Sequence, residues 1–211
     1  EVVNYSLDGT ELHLHLQFSV LPGYEADWSH VQVALTDITA RKKAEAYLEY
    51  LGKHDVLTRT YNRSFYVDEL NRLERKRPSP VTIIIADLNE LKSTNDQLGH
   101  AAGDALLRRI GEVLNKAVDP PCHAARIGGD EFAILLPGTD AHGGEAVMEH
   151  IEKLVGLNNQ FYSAAAITLS MGAATSRPGE RLEDVAKRAD ARMYRAKRAY
   201  YAAQPTDRRQ A

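Results

Sequence analysis

Apolar and polar positions alternate strictly over residues 11–20, with Leu12, Leu14, Leu16, Phe18 and Val20 on one side and His13, His15, Gln17 and Ser19 on the other. A period of two marks a half-buried antiparallel strand. Asp8-Gly9 predicts a hairpin from a strand over Val2–Leu7, and a loop at Pro22-Gly23 leads to a third strand over Ser29–Asp37 carrying Val31, Val33 and Leu35 on one face. Three such strands are not stable alone, so their apolar face needs a cover from missing sequence, the second domain or another copy. A helix opens at Asp37-Ile38-Thr39, with Asp37 or Thr39 as N-cap and Ala44, Tyr47, Leu48 and Leu51 on one face. It reads as a short connector suited to pairing with its twin.

The pattern changes near His54. A helix is predicted over Asn62–Lys76, ending at Arg77-Pro78-Ser79-Pro80. Val81–Asp87 is a nearly continuous apolar run, hence a central strand buried on both faces. A helical stretch over Glu90–Gln97 precedes a longer helix over Gly103–Ala117, whose stripe is Ala105, Leu106, Ile110, Val113 and Leu114. Gly128-Gly129 sits between the apolar runs His123–Ile127 and Phe132–Leu136, a hairpin signal because glycine reaches the positive φ angles of tight turns. Helix His142–Leu157, strand Ala165–Ala174 and helix Leu182–Tyr200 follow, and the polar tail Gln204–Ala211 is expected to be disordered. The order βααββαβα implies an α/β (α+β) fold, a mainly antiparallel central sheet covered by helices. The expected organisation is a strand fragment over 1–39, a connector over 40–53, a main domain over 54–203 and a tail over 204–211.

Composition narrows the function. With 44% hydrophobic and 26% charged residues the chain can bury a core, and a net charge of −3 argues against binding of nucleic acid polymers. A small phosphorylated ligand held with metal remains compatible. The one cysteine, Cys122, permits no intrachain disulfide and fits a reducing compartment, here the cytoplasm. It reads as a small loop or core residue rather than a nucleophile. No apolar run spans a bilayer, so no membrane contact is expected within these residues. The chain starts at Glu1 in what reads as mid-strand, which suggests a fragment of a longer protein whose other parts could include a membrane anchor.

The candidate chemistry lies at the double glycine. Asp130 and Glu131 follow it directly, and Asp87 closes the central strand. If strand and hairpin are neighbours, three carboxylates meet at one sheet end. Mg²⁺ takes few protein oxygens and leaves the rest of its octahedron to water and substrate phosphate. Two such ions about 4 Å apart hold attacking and leaving oxygens in phosphoryl transfer. Taken alone, Asp87 reads as a solvated strand cap; the Gly-Gly-Asp-Glu turn reverses that preference.

The ordered set His54-Asp55-x-Leu57-Thr58, Asn62-Arg63, Asp87-Leu88-Asn89, Lys92, Asn95-Asp96, Gly99-His100, Gly103-Asp104, Arg126-x-Gly128-Gly129-Asp130-Glu131-Phe132, Ser170-x-Gly172 and Ala189-Asp190 through Tyr194-x-Ala196-Lys197 resembles the GGDEF domain of diguanylate cyclases over about 150 residues, an agreement of ordered motifs that chance rarely produces. The resemblance implies a palm-like sandwich and the condensation of two GTP into cyclic di-GMP with release of pyrophosphate, across a homodimer, in bacterial second-messenger signalling. It implies two Mg²⁺ per GTP site, with Mn²⁺ able to substitute, held by Asp87, the Leu88 carbonyl and Asp130, with Glu131 beside them. Asp130 is also implied as acceptor of the 3′-hydroxyl proton, although a carboxylate of ordinary pKa is a poor base for an alcohol and metal activation carries more weight. Lys92 is implied to offset charge on the transferring phosphate. Asn95 and Asp104 are implied to read guanine, and independently an Asp accepts from the N1–H and N2–H₂ edge that adenine lacks. His100, Gly128 and Gly129 match other substrate-site positions, and Arg126 and Lys197 are candidates for the triphosphate; a strand-surface arginine and a solvated helix lysine are the plainer readings of the last two.

Residues 1–40 resemble the last strands of a PAS domain through Thr36-Asp37-Ile38-Thr39 and Arg41-Lys42-Lys43-Ala44-Glu45, implying a truncated sensor. His13-x-His15 shares a strand face, but no third metal ligand is evident. The chain also departs from the pattern. Asn89 stands where a second Asp is common, and Thr60 replaces a usual Leu, which is expected to loosen packing. Asp119-Pro120-Pro121-Cys122 occupies the Arg-x-x-Asp product-inhibition position, so no such site is expected. Tyr200-Tyr201-Ala202 replaces Gly-Arg-Asn, which removes one phosphate contact and a closing strand. The competing readings are a catalytically silent module that binds GTP or cyclic di-GMP, and a nucleotide cyclase or polymerase palm with a different product; Asp104 and the hairpin weigh against the latter.

Overall fold

The computed structural model describes residues 1–76, 80–162 and 165–203. The predicted tail, and most of the Arg77–Pro80 breaker, lie outside the described residues. The chain divides into two compact units, Glu1–Gly52 and Lys53–Ala211.

In the first unit, β1 (Val2–Tyr5), β2 (Glu11–Val20) and β3 (Val31–Asp37) form an antiparallel sheet in the order β1-β2-β3. The register sets Leu16 opposite Leu35, Phe18 opposite Val33 and Val20 opposite Val31, so the alternation in the sequence becomes one apolar face. Phe18, Val33 and Leu35 on that face are exposed. Helix α1 (Thr39–Lys53) starts where the Asp37 carboxylate accepts the Thr39 amide at 2.8 Å. Within the unit, only Ile38 and Thr39 are buried. His13 lies 3.3 Å from Glu11.

The second unit contains α2 (Arg63–Lys76), β4 (Val81–Leu88), α3 (Leu91–Leu98), α4 (His100–Ala117), β5 (His123–Arg126), β6 (Glu131–Pro137), α5 (Ala141–Phe161), β7 (Leu169–Thr175) and α6 (Leu182–Ala203). From β4 onward this is the predicted order. Its sheet runs β5-β6-β4-β7 and every pairing between these strands is antiparallel. All of β4 is buried, because helices cover both faces. Strand parity divides the core. Ile84, Ala86, Leu88, Ile134 and Leu136 pack with Leu106, Ile110 and Leu114 of α4 and Ile151 of α5. Val81, Ile83, Ile85, Ala133 and Leu135 pack with Leu73 of α2 and Val185, Ala189 and Met193 of α6. Asp87 falls on the α6 side by the same parity.

β7 begins four residues later than the apolar run suggests. Asn159 accounts for the delay: its side chain accepts the Ile167 amide and donates to the Ile167 carbonyl, both at 2.8 Å, which takes the backbone bonds a longer strand would use. Arg109, buried on α4, bonds Asn158 at 2.9 Å, Asn159 at 3.0 Å and the Ala165 carbonyl at 2.6 Å, pinning the same segment. Thr60 does not loosen its surroundings. It is fully buried, and its hydroxyl bonds Thr58 at 2.8 Å, which in turn donates to Asp55 at 2.8 Å. Among the described residues no helix is long and apolar enough to cross a membrane.

Candidate active site at the end of the central strand

The β4–β6 register sets Asp87 directly opposite Glu131, and cross-strand partners share a face. One residue further, the Leu88 amide donates to the Asp130 carbonyl at 2.9 Å. The strand end and the turn are thus joined by backbone, and the three acids stand together at one end of the two inner strands.

The turn departs from the expected geometry. Neither Gly128 nor Gly129 is among the positive-φ residues. What Gly128 supplies is space: a Cβ there would lie 2.6 Å from Glu131 Oε2, so the Glu131 carboxylate folds back over the turn. The Ile127 amide donates to the Glu131 carbonyl at 2.9 Å and closes the loop. Arg126 clamps it from outside. Its Nη2 and Nε donate to the Gly129 carbonyl at 2.7 and 3.2 Å, and its Nη1 reaches Asp55 Oδ1 at 3.2 Å. The resemblance implies a triphosphate contact for Arg126; in this arrangement its guanidinium is divided between the turn and Asp55. Asp55 had no role in the sequence reading, although Asp-x-x-Thr was visible: its Oδ1 also accepts the Thr58 amide and hydroxyl.

The electrostatics favour a cation. Asp87 is 3% exposed; its Oδ2 lies 2.6 Å from Lys197 Nζ, and its buried Oδ1 has no hydrogen-bond partner. Burial pushes the Asp87 carboxyl above its ordinary range; Lys197 opposes the shift and Asp130 adds to it. Burial likewise raises Glu131, with Asp130, Asp87 and Asp190 repelling its charge. Lys197 is held above its ordinary value, since Asp87 and Asp130 together outweigh a burial effect that acts downward. One lysine therefore leaves a deficit of positive charge, and the unpartnered Asp87 oxygen is suited to Mg²⁺. Among the described residues no group of three His, Cys, Asp or Glu side chains is placed to hold a metal ion by itself.

Lys92, Asp130, Lys197, Leu88 and Tyr201 line one cavity of about 550 Å³. Lys92 is the second residue of α3. Asn95 packs over Gly103, where a Cβ would lie 2.1 Å from its Oδ1; this brings the Asn95 amide to the turn of α4 that carries Asp104. Asp104 is half exposed and 3.9 Å from Arg108. His100 is exposed at the first position of α4. Asn95, His100 and Asp104 do not line the cavity with the two lysines. Asn89 is buried and accepts from Ser170 Oγ at 2.9 Å, while its Nδ2 has no partner. Asp119 and Cys122 share a local turn, the Cys122 amide donating to the Asp119 carbonyl at 2.9 Å.

Residues 52–201 match the family model described as "Diguanylate cyclase, GGDEF domain". The chain belongs to the GGDEF family. A GGDEF-domain structure of DgcB from Caulobacter crescentus in complex with c-di-GMP aligns with a TM-score of 0.64 at 33% identity, covering 70% of this chain and 91% of that one. Diguanylate cyclase DgcS of Shewanella oneidensis is 32% identical over 147 residues, 68% of this chain and 49% of that protein. An uncharacterized protein of Mycobacterium bovis is 32% identical over 195 residues, 87% of this chain and 31% of its own length. The chain thus spans about a third of the first curated relatives it matches. Within residues 52–201 the chain carries Gly128-Gly129-Asp130-Glu131-Phe132, the residues after which the family is named.

Proposed function

We propose that this chain is the catalytic portion of a diguanylate cyclase. The observation that carries the reading is the β4–β6 register, which joins Asp87 to the Asp130-Glu131 turn beside a cavity lined by Lys92 and Lys197. In the reaction the 3′-hydroxyl of each GTP attacks the α-phosphorus of the other. Two P–O bonds form, two pyrophosphates leave, and cyclic di-GMP results. Each copy holds one GTP, so turnover needs two copies face to face.

Asp87, the Leu88 carbonyl, Asp130 and Glu131 would hold Mg²⁺. When bound, Mg²⁺ offsets triphosphate charge and lowers the pKa of the attacking hydroxyl. Asp130, at the open end of the turn, takes the hydroxyl proton. Lys92 offsets charge on the transferring phosphate, and Lys197 does so on the leaving one. Asn95 and Asp104 select guanine, since a carboxylate matches two adjacent donors on that base. His100 borders the same substrate region. Arg126 acts by fixing the turn, and Gly128 and Gly129 let the nucleotide approach the backbone.

The test is incubation of the full chain with GTP and Mg²⁺ across a protein-concentration series. Cyclic di-GMP should form with a greater than first-order dependence on protein, and Asp130→Ala should abolish it while leaving the circular dichroism spectrum intact. GTP that binds but stays unchanged would instead identify a silent binding module, and persistent turnover in Asp130→Ala would overturn the metal and proton assignments.

A further inference from the structure

Across the sheet of the second unit one row of side chains runs Glu131, Asp87, Ser170. The registers set Asp87 opposite Glu131 on one side and opposite Ser170 on the other. Cross-strand partners share a face with Cβ atoms about 4.5–5.5 Å apart, so the Ser170 side chain flanks the Asp87 carboxylate. Ser170 is buried, and its hydroxyl donates to Asn89 Oδ1 at 2.9 Å. Asn89 follows Asp87 by two positions, and its backbone amide continues the β4–β7 ladder by donating to the Thr168 carbonyl at 2.9 Å. A period of two returns its side chain to the face of Asp87. The acceptor end of the Asn89 amide is therefore held by Ser170, and its donor end, Nδ2, is left over beside the carboxylate.

Among the described residues two buried side-chain atoms lack a partner, Asp87 Oδ1 and Asn89 Nδ2. The first accepts and the second donates. Both belong to neighbouring side chains of one face, and leaving both unmet in a buried site is unfavourable. A separation wider than one hydrogen bond between two such groups is where a bridging water serves, because each end gives it a polar partner. The other oxygen of Asp87 is already taken by Lys197.

We propose that Asn89 is the positioning residue of the Asp87 carboxylate: its Nδ2 donates to Asp87 Oδ1 through one water, and Ser170 fixes the amide in the orientation that presents this donor. This rests on the metal-site reading above and adds to it a residue that, by sequence, counted only as a replacement for a common Asp. A carboxylate oxygen has two lone pairs, so one can face the cation while the other accepts from the Asn89 side. Carboxylates that ligate metals are held from behind in this way, and losing the outer partner lowers metal affinity by about 10–100-fold. An amide supplies the donor without adding to the negative charge that Asp130 already sets beside Asp87.

The test is calorimetric titration of the full chain with a non-hydrolysable GTP analogue, in chelator and across a Mg²⁺ series. Asn89→Leu keeps the branched shape and removes the donor. It should need about tenfold more Mg²⁺ to reach half of the metal-dependent gain in analogue affinity, while affinity in chelator stays as in the parent. Ser170→Ala keeps Asn89 but releases its amide, and should raise the Mg²⁺ requirement by a smaller factor; it decides the matter if Asn89→Leu does not fold. A loss of equal size in chelator and in Mg²⁺ would assign Asn89 to packing of the nucleotide site and overturn the inference, as would an unchanged Mg²⁺ requirement in either variant. The metal site would stand in both cases. A parent protein whose analogue affinity did not respond to Mg²⁺ would overturn the metal-site reading itself.

Discussion

Lys197→Met should destabilise the metal-free protein and do so through Asp87. Lys197 Nζ is 2.6 Å from Asp87 Oδ2, with side-chain exposures of 28% and 4%. Removing one partner of a fully buried ion pair costs about 3–5 kcal/mol, because a charge is left stranded. Here water reaches the lysine end and can partly solvate the carboxylate, so about 2 kcal/mol is the expected loss. For a chain of this size that is a fall of about 4–8 °C in melting temperature. Two comparisons isolate the cause. Asp87→Asn combined with Lys197→Met should recover most of the loss, since no charge is then stranded. Lowering the pH should narrow the gap between Lys197→Met and parent: burial already raises the Asp87 pKa in the folded state, so the folded form takes up the proton first and the stranded charge disappears as pH falls toward that raised value. Saturating Mg²⁺ should narrow the gap as well. The measurement is thermal unfolding followed by circular dichroism, in chelator and in Mg²⁺. An unchanged melting temperature in chelator would refute the reasoning, and a loss the double variant did not recover would assign it to packing of the lysine stem.

Three further outcomes are expected. Arg126→Lys cannot bridge the Gly129 carbonyl and Asp55 together, so it should lower turnover severalfold with a stability loss of about 1 kcal/mol, measured by product formation and urea unfolding. Gly103→Ala places a Cβ 2.1 Å from Asn95 Oδ1 and should displace that amide, raising KM for GTP more than it lowers kcat in steady-state assays. Burial holds His123 below its ordinary 6.5, against the pull of Glu69; the unfolded chain therefore binds the proton first, and stability should fall as pH drops below about 6.5, more in the parent than in His123→Gln, by urea unfolding at pH 7.5 and 5.5.

Much of this protein was legible in sequence because its signals are local. The alternation over residues 11–20 and the unbroken run before Asp87 announced their strands, since the period of side chains along a strand is independent of what covers it. The acids of the turn were legible because adjacent carboxylates after a double glycine have few other uses. What tertiary structure decided were long-range choices that no local window contains. Parity places Asp87 on the α6 side, but only the packing of α6 brings Lys197 to it across 110 positions of chain. The contact of Arg126 with Asp55, 71 residues away, exists only in the folded chain. Gly128 looked necessary for a backbone angle and proved necessary for the space that Glu131 fills. Tyr201 looked like the absence of an arginine; its hydroxyl against the Glu90 amide exists only because the end of α6 meets the start of α3. Periodicity and turn chemistry act between neighbours in the chain, so sequence determined the elements. Burial, charge pairing and close approach act between neighbours in space, and those decided the site.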